Sequence, residues 1–438
     1  MLVASIAAAG PTATKIDGRP FNPSLIDLPK HGYVEEEFFI SGHARTYDIP
    51  RDQMSNATPS DATHPVRTRL VVRRPISQAK FNGTVVVEWT NVSEGFDNEV
   101  EWFHSGEHFV RSGYAWVGVS AQNVGVAALK QRMPERYASL DVTDNGTVPN
   151  DALSYDIFTA AGMAVRGEGG QSLMGGLRVE RLIASGHSQS AGRLAAYFNT
   201  VHRLSHVYDA VLLHGGGGRM RTDLTVKIWK LLSETDVIGQ LPVRRPDSDK
   251  FGTWEVAGTS HLDYTHALAL VRLGLRSKET MLPLANAAPG PYGGCTHPPL
   301  SRIPSEYVQD ALYDQITRWL RDGTPPPSAP PIDIVTQNGK PAIDRDSFGN
   351  ALGGIRLAEH AVATALNSGE NGGGGFCFLA GTHEDFDAAR LAKLYSSHER
   401  YVASVKYITE KNLRAGYIVK ADALKTIAAA EQSSVGRP

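Results

Sequence analysis

The chain has 438 residues, of which 41% are hydrophobic and 21% charged, and its formal net charge is -2. That balance excludes an extended disordered chain and a basic nucleic-acid footprint, and it favours a small, neutral partner. The length suits one large domain with insertions, or a domain carrying a substantial appendage.

Along the chain, the first apolar run is Leu2 to Ala9, followed by Gly10 and Pro11. It matches the apolar part of a secretory leader, but no Lys or Arg precedes it. Neither this run nor any later one approaches the ~20 residues that span a bilayer. The expectation is a soluble protein, either cytoplasmic or exported after loss of a leader. Glu36 to Tyr47 and Arg67 to Arg74 read as strands, rich in β-branched and aromatic residues between turn-forming clusters. After the turn Asn82-Gly83, Thr84 to Trp89 (TVVVEW) is too apolar for a half-exposed strand and suits one buried on both faces. A polar loop from Thr90 to Asn98 leads into a helix ending near Gly113, and Tyr114 to Ser120 is a second buried strand. This βαβ unit predicts parallel strands joined by a right-handed crossover.

The alternation continues with a helix over Tyr155 to Ala164 and a strand over Arg181 to Ala184. The next helix places Ala191, Leu194, Ala195 and Phe198 on one apolar face. Further strands are expected at Ala210 to Leu213, Val226 to Leu232 and Thr253 to Val256. The predicted class is α/β: a mostly parallel central sheet flanked by helices, with antiparallel strands at its N-terminal edge. An amphipathic helix over Ser305 to Arg321 precedes a stiff break at Pro325, Pro326, Pro327, Pro330 and Pro331. Residues 1–325 therefore read as the core. Residues 326–438 read as a glycine-rich, helical extension, with helix from about Asp385 to Ala430 and an N-terminal cap formed by Thr382 and Asp385. Cys295 and Cys377 make neither a disulfide framework nor a metal-ligand cluster; they either pair or stand as buried thiols.

Chemistry concentrates in Leu182 to Gly192 (LIASGHSQSAG). Ser188 follows a strand and opens a helix, the strand-turn-helix setting of a nucleophile elbow, where the residues two before and two after must be small. Gly186 and Ser190 meet that demand, with Ser190 replacing the glycine usual at the second place. A serine at this point can also simply cap its helix. What favours a nucleophile is the order of its downstream partners, nucleophile, acid, histidine. Asp236, in SETDVIG, is the preferred acid and Glu234 its rival, while either is otherwise an ordinary turn acid. His261, in the loop after the strand ending at Val256, is the expected general base. His214 follows a strand and is a candidate for the pocket wall.

With these residues in place, the chain resembles the α/β-hydrolase superfamily, and within it a family of α/β-hydrolase domain proteins. The resemblance is carried by VVVEWTNVS, VGVSAQNVGV, ASGHSQSAGRLAAY, LLSETDV, RWLRDGTPPP and DSFGNALGGIR, spanning about residues 84–356. It implies acyl transfer through Ser188, His261 and Asp236, most simply hydrolysis of a carboxylic ester or lactone, with acyltransferase and peptidase chemistry as alternatives. The same resemblance implies one oxyanion donor at the Gln189 backbone N–H and a second in the loop at Asn91 or Val92, although no HGGG-type run is present and Asn91 is equally suited to cap its turn. No metal or organic cofactor is implied. The short glycine-rich stretch from Gly215 to Thr225 leaves little room for a large lid, so access control is expected from residues 266–300 or the C-terminal region.

Two rival readings remain open. His104-Ser-Gly-Glu107-His108 matches H-x-x-E-H, a zinc-binding helical pattern, although Gly106 weakens the helix and no further ligand follows. A non-catalytic binding protein on the same fold is the other, since architecture alone does not establish activity. The sequence does not determine the oligomeric state.

Overall fold

The computed structural model describes residues 10–167, 173–274 and 294–437. The run Leu2 to Ala9 and the greater part of the stretch 266–300 expected to control access lie outside these residues. The chain forms two compact units. The first comprises Met1–Trp102 and Gly106–Ile228, and the second Phe103–Ser105 and Trp229–Pro438.

In the first unit, β1 (Thr12–Ile16), β2 (Tyr33–Ala44) and β3 (His64–Pro75) form the antiparallel edge of a sheet. Next come β4 (Thr84–Trp89), β5 (Ala115–Val119), β6 (Arg181–His187) and β7 (Ala210–His214), giving the order β1-β2-β3-β5-β4-β6-β7. β3 meets β5 antiparallel, and the pairs β5-β4, β4-β6 and β6-β7 are parallel. This is the expected α/β arrangement, with a parallel centre and an antiparallel N-terminal edge. All six residues of β4 are buried, as its apolar run predicted. Helix α1 (Val100–Ser112) ends at Gly113, whose φ of 78° is the left-handed conformation that closes a helix; a Cβ there would meet the Lys80 carbonyl oxygen at 2.3 Å. The other long helices of this unit among the described residues are α2 (Asn123–Arg132), α3 (Ser154–Val165) and α4 (Gln189–Thr200), and α4 packs on β6 and β7.

The second unit carries most of β8 (Lys227–Ser233), then α5 (Glu234–Gln240), β9 (Phe251–Val256), α6 (Tyr264–Arg272) and α7 (Ser305–Asp322). Beyond the proline break stand two hairpins, β10 (Ile334–Gln337) with β11 (Lys340–Ile343) and β12 (Ala365–Ser368) with β13 (Thr382–Asp385). Helices α8 (Ala388–Leu394), α9 (His398–Ala415) and α10 (Lys420–Gln432) follow. Thr382 and Asp385 thus belong to a strand rather than a helix cap. They pair with Ser368 and Ala365, and the cap falls to Asp387, whose side chain accepts from the Arg390 N–H. Cys295 and Cys377 are joined in a disulfide. No helix among the described residues is long and apolar enough to cross a membrane.

Candidate active site

In the first unit β6 delivers the chain to Ser188, which adopts φ 60° and ψ -116°. A non-glycine residue at positive φ costs on the order of 1–3 kcal/mol, so the surroundings must hold it there. They do so through the backbone on both sides. The Ser188 N–H donates to the His214 carbonyl at 2.8 Å, and the Ser188 carbonyl accepts from the Gly192 N–H at 3.1 Å. The Asn91 amide donates to the His187 carbonyl at 2.9 Å, and the Ser190 hydroxyl to the Thr90 carbonyl at 3.2 Å. A Cβ on Gly186 would sit 3.0 Å from that of Ser190 and 3.1 Å from Leu194 Cδ1, which is why both flanking positions are small.

The loop after β4 is thereby attached to the turn at Ser188. Asn91 braces it: its backbone N–H is used by the Asn98 carbonyl, and its side-chain oxygen accepts from the Ser93 N–H. The backbone N–H groups of Val92 and Gln189 have no hydrogen-bond partner among the described residues. Gln189 opens α4, where the first amides of a helix lack intrahelical acceptors. The loop is held from beneath by buried Asp97, which accepts from the Thr90 and Ser120 hydroxyls at 3.0 and 2.5 Å.

Beside the Ser188 turn is a set of groups of which the sequence singled out only His214. The His187 and His214 rings meet edge to face at 4.5 Å, and His214 Nδ1 lies 3.3 Å from Glu101 Oε1. Glu88, from β4, accepts from the Glu101 and Trp102 N–H groups and from Trp116 Nε1. Burial, with the nearby Glu101 carboxylate, pushes the Glu88 carboxyl well above its ordinary range. His214 is buried beside Glu101. The only sequence signal for Glu88 is an acid inside a strand that is otherwise apolar.

In the second unit β8 ends at Ser233, and α5 begins there with a capping box: Asp236 Oδ2 accepts from the Ser233 N–H at 2.8 Å and its hydroxyl at 2.7 Å. The other oxygen, Asp236 Oδ1, lies 2.6 Å from His261 Nδ1, and both side chains are buried. Burial pushes the Asp236 carboxyl up, but the facing His261 and the Ser233 donors more than offset it, so the group is held below the usual carboxylate range. Glu234, the rival acid, turns elsewhere. Its oxygens accept from Gly258 N–H at 2.7 Å, Gly369 N–H at 2.9 Å and Arg345 Nη2 at 2.7 Å.

The residues of the H-x-x-E-H pattern are engaged separately. His104 Nε2 lies 3.1 Å from Asp263 Oδ1, a carboxylate that also takes the Ser305 hydroxyl at 2.6 Å. His108 Nδ1 lies 3.2 Å from Arg111 Nη2, and Glu107 is on the same helix. No group of three or more candidate metal ligands occurs among the described residues.

A family model described as an alpha/beta hydrolase domain matches residues 8–428. A comparison with curated proteins gives no match. Similar solved structures include a lidless α/β serine hydrolase from Xanthomonas campestris, with 14% identity over 53% of this chain and 90% of that one and a TM-score of 0.30. One of two fungal esterases from Rhizomucor miehei gives 13% identity over 54% and 81%, with a TM-score of 0.29. The esterase Est22 gives 12% identity over 56% and 78%, with a TM-score of 0.33. These likenesses are partial, and the assignment rests on the family match, which runs through the elbow and nearly the whole length of the sequence: the chain belongs to the alpha/beta hydrolase domain family.

Proposed function

We propose that the protein is a serine hydrolase that cleaves a carboxylic ester or lactone of a small neutral substrate. Ser188 is the nucleophile, His261 the general base and acid, and Asp236 the carboxylate that orients the imidazole. The observation that carries the reading is the 2.6 Å contact between Asp236 Oδ1 and His261 Nδ1. It fixes the tautomer with the proton on Nδ1 and leaves Nε2 as the basic nitrogen. The strained backbone of Ser188, held by four hydrogen bonds in its neighbourhood, supports the same reading.

In this mechanism His261 Nε2 takes the Ser188 hydroxyl proton as the oxygen attacks the carbonyl, and the imidazolium is stabilised by Asp236. The oxyanion is received by the Gln189 N–H and, from the loop after β4, the Val92 N–H, with Asn91 holding that loop in place. His261 then protonates the departing alcohol oxygen. Water, deprotonated by the same nitrogen, releases the acid and restores Ser188. Each proton moves between groups of the chain, substrate and water.

A fluorophosphonate probe, read by mass spectrometry, tests this together with a panel of esters graded by acyl length and alcohol bulk. The expected result is one adduct on Ser188, lost in Ser188→Ala, with hydrolysis lost in parallel. An unlabelled native protein whose ester hydrolysis survives Ser188→Ala overturns the proposal.

A further inference from the structure

We infer that Glu234 and Arg345 are positioning residues for the acid and histidine, and that the segment around Arg345 and Gly369 is a clamp on the catalytic pair rather than a bystander. The inference rests on the reading of Asp236 and His261 as acid and base.

Three consecutive residues at the start of α5 each bind the histidine loop at a different point. Glu234 Oε2 accepts from the Gly258 N–H at 2.7 Å, and the Glu234 N–H donates to the Thr259 hydroxyl at 3.3 Å. The Thr235 hydroxyl accepts from the His261 N–H at 3.2 Å, and Asp236 meets the His261 ring. The geometry of the pair is thus set by the residue before the acid and the one before that, as well as by the acid itself.

The same two neighbours are held from the other side. The Gly369 N–H donates to Glu234 Oε1 at 2.9 Å, and the Gly369 carbonyl accepts from the Thr235 hydroxyl at 2.6 Å. That approach is close enough that a Cβ on Gly369 would lie 2.4 Å from the Thr235 nitrogen. Arg345 Nη2 reaches Glu234 Oε1 at 2.7 Å and Glu370 Oε2 at 3.2 Å, while Nη1 donates to the Gly349 carbonyl at 3.0 Å. The motif DSFGNALGGIR, which follows Arg345, runs back along the end of β9: Ile355 N–H donates to the Glu255 carbonyl at 2.8 Å, and the Ala257 N–H to the Ile355 carbonyl at 3.0 Å. One stretch of chain therefore supports the strand that precedes the histidine loop and supplies the cation that neutralises Glu234.

The Glu234 side chain is wholly buried and Arg345 only partly exposed. Removing Arg345 leaves the buried Glu234 carboxylate without its cation, neutralising Glu234 leaves Arg345 only the exposed Glu370, and either change frees the first turn of α5 to move. A displacement of about 1 Å at a catalytic pair is enough to cost on the order of a hundredfold in rate. A simple structural ion pair lowers stability without acting through the pair, and this difference is what the test reads.

The experiment uses the full chain with Glu234→Gln, Arg345→Met, Arg345→Lys and the double variant Glu234→Gln with Asp236→Asn, assayed on the best ester of the panel. Glu234→Gln and Arg345→Met are expected to lower kcat by about ten- to a hundredfold with KM within about twofold, and Arg345→Lys to recover part of the loss. In the Asp236→Asn background, Glu234→Gln is expected to add little, because its effect passes through the bond already broken. The low-field proton resonance of His261 Nδ1–H is expected to shift or broaden in Glu234→Gln. If both Glu234→Gln and Arg345→Met fail to fold, Thr235→Val carries the same kinetic and spectroscopic comparison. A folded variant with wild-type kcat and an unmoved resonance, or full multiplicative losses in the double variant, overturns the inference. The resonance does not depend on turnover, so it separates failure of the clamp from failure of the hydrolase reading, which Ser188→Ala and the probe decide.

Discussion

Asp236 divides its two carboxylate oxygens between His261, at 2.6 Å, and Ser233, so that no oxygen of the acid is left to wander. The capping box that starts α5 is therefore also what aims the carboxylate. Asp236→Asn keeps the cap acceptor and removes the charge behind the imidazole. The expected outcome is a folded protein with kcat lowered by roughly 10³- to 10⁴-fold and KM little changed, measured by steady-state hydrolysis of a chromogenic ester.

The lowered pKa of Asp236 also has a consequence for stability. A group whose native value lies below its unfolded value of about 3.9 stabilises the fold above that pH and loses the contribution as pH falls through the native value. Urea midpoints of wild type and Asp236→Asn are expected to converge as pH falls below about 4. Parallel curves down to the acid transition count against the assignment.

Glu306 gives the opposite slope. Burial, and then the neighbouring Asp263 carboxylate, push its carboxyl up to about 7, while the Thr265 hydroxyl donates to it at 3.3 Å. Between the unfolded value of about 4.3 and that native value the folded protein holds a proton that the unfolded chain lacks, so this group's contribution falls as pH rises and is flat above. Glu306→Gln is expected to remove that slope, leaving the variant less sensitive than wild type when urea midpoints at about pH 5 and about pH 8 are compared.

The backbone strain at Ser188 separates two substitutions expected to abolish hydrolysis. Ser188→Ala and Ser188→Gly both lack the proposed nucleophile, but only glycine adopts φ 60° without a Cβ clash. Ser188→Gly is expected to be more stable than Ser188→Ala by about 1 kcal/mol, after allowing for the extra unfolded-state freedom of glycine. Chemical denaturation of the two proteins checks the order, and a more stable alanine variant contradicts it.

The Cys295–Cys377 bond spans 82 residues of the second unit and joins the segment before α7 to the glycine-rich stretch before β13. A paired Cys295→Ala, Cys377→Ala variant is expected to lose about 2–4 kcal/mol of unfolding free energy, and reduction of the native protein to reproduce the loss. Thermal melts with and without reductant read both.

The parts legible in the sequence are those governed by neighbours along the chain. TVVVEW is apolar at four of its six positions and forms a strand with both faces buried. Gly113 ends α1 because only a residue at ease with positive φ closes that turn against the Lys80 carbonyl. Gly186 and Ser190 are small because they nearly touch across the turn, a distance set by a few bonds. By the same logic a cap at Thr382 was a fair local reading. It fails because Ser368, fourteen positions upstream, pairs with that residue in a hairpin.

Sequence alone thus determined the α/β alternation, the sharp turn at Ser188 and the candidacy of two acids in SETD, because backbone periodicity and steric crowding act over a few residues. Only the tertiary structure separated the two acids. Glu234 and Asp236 share the first turn of one helix, and nothing local distinguishes them. Asp236 finds its partner 25 residues away, whereas Glu234 is claimed by Arg345 and Gly369 at separations of 111 and 135. A carboxylate's role depends on which donors face it once the chain has folded, and those donors come from segments that local sequence does not register.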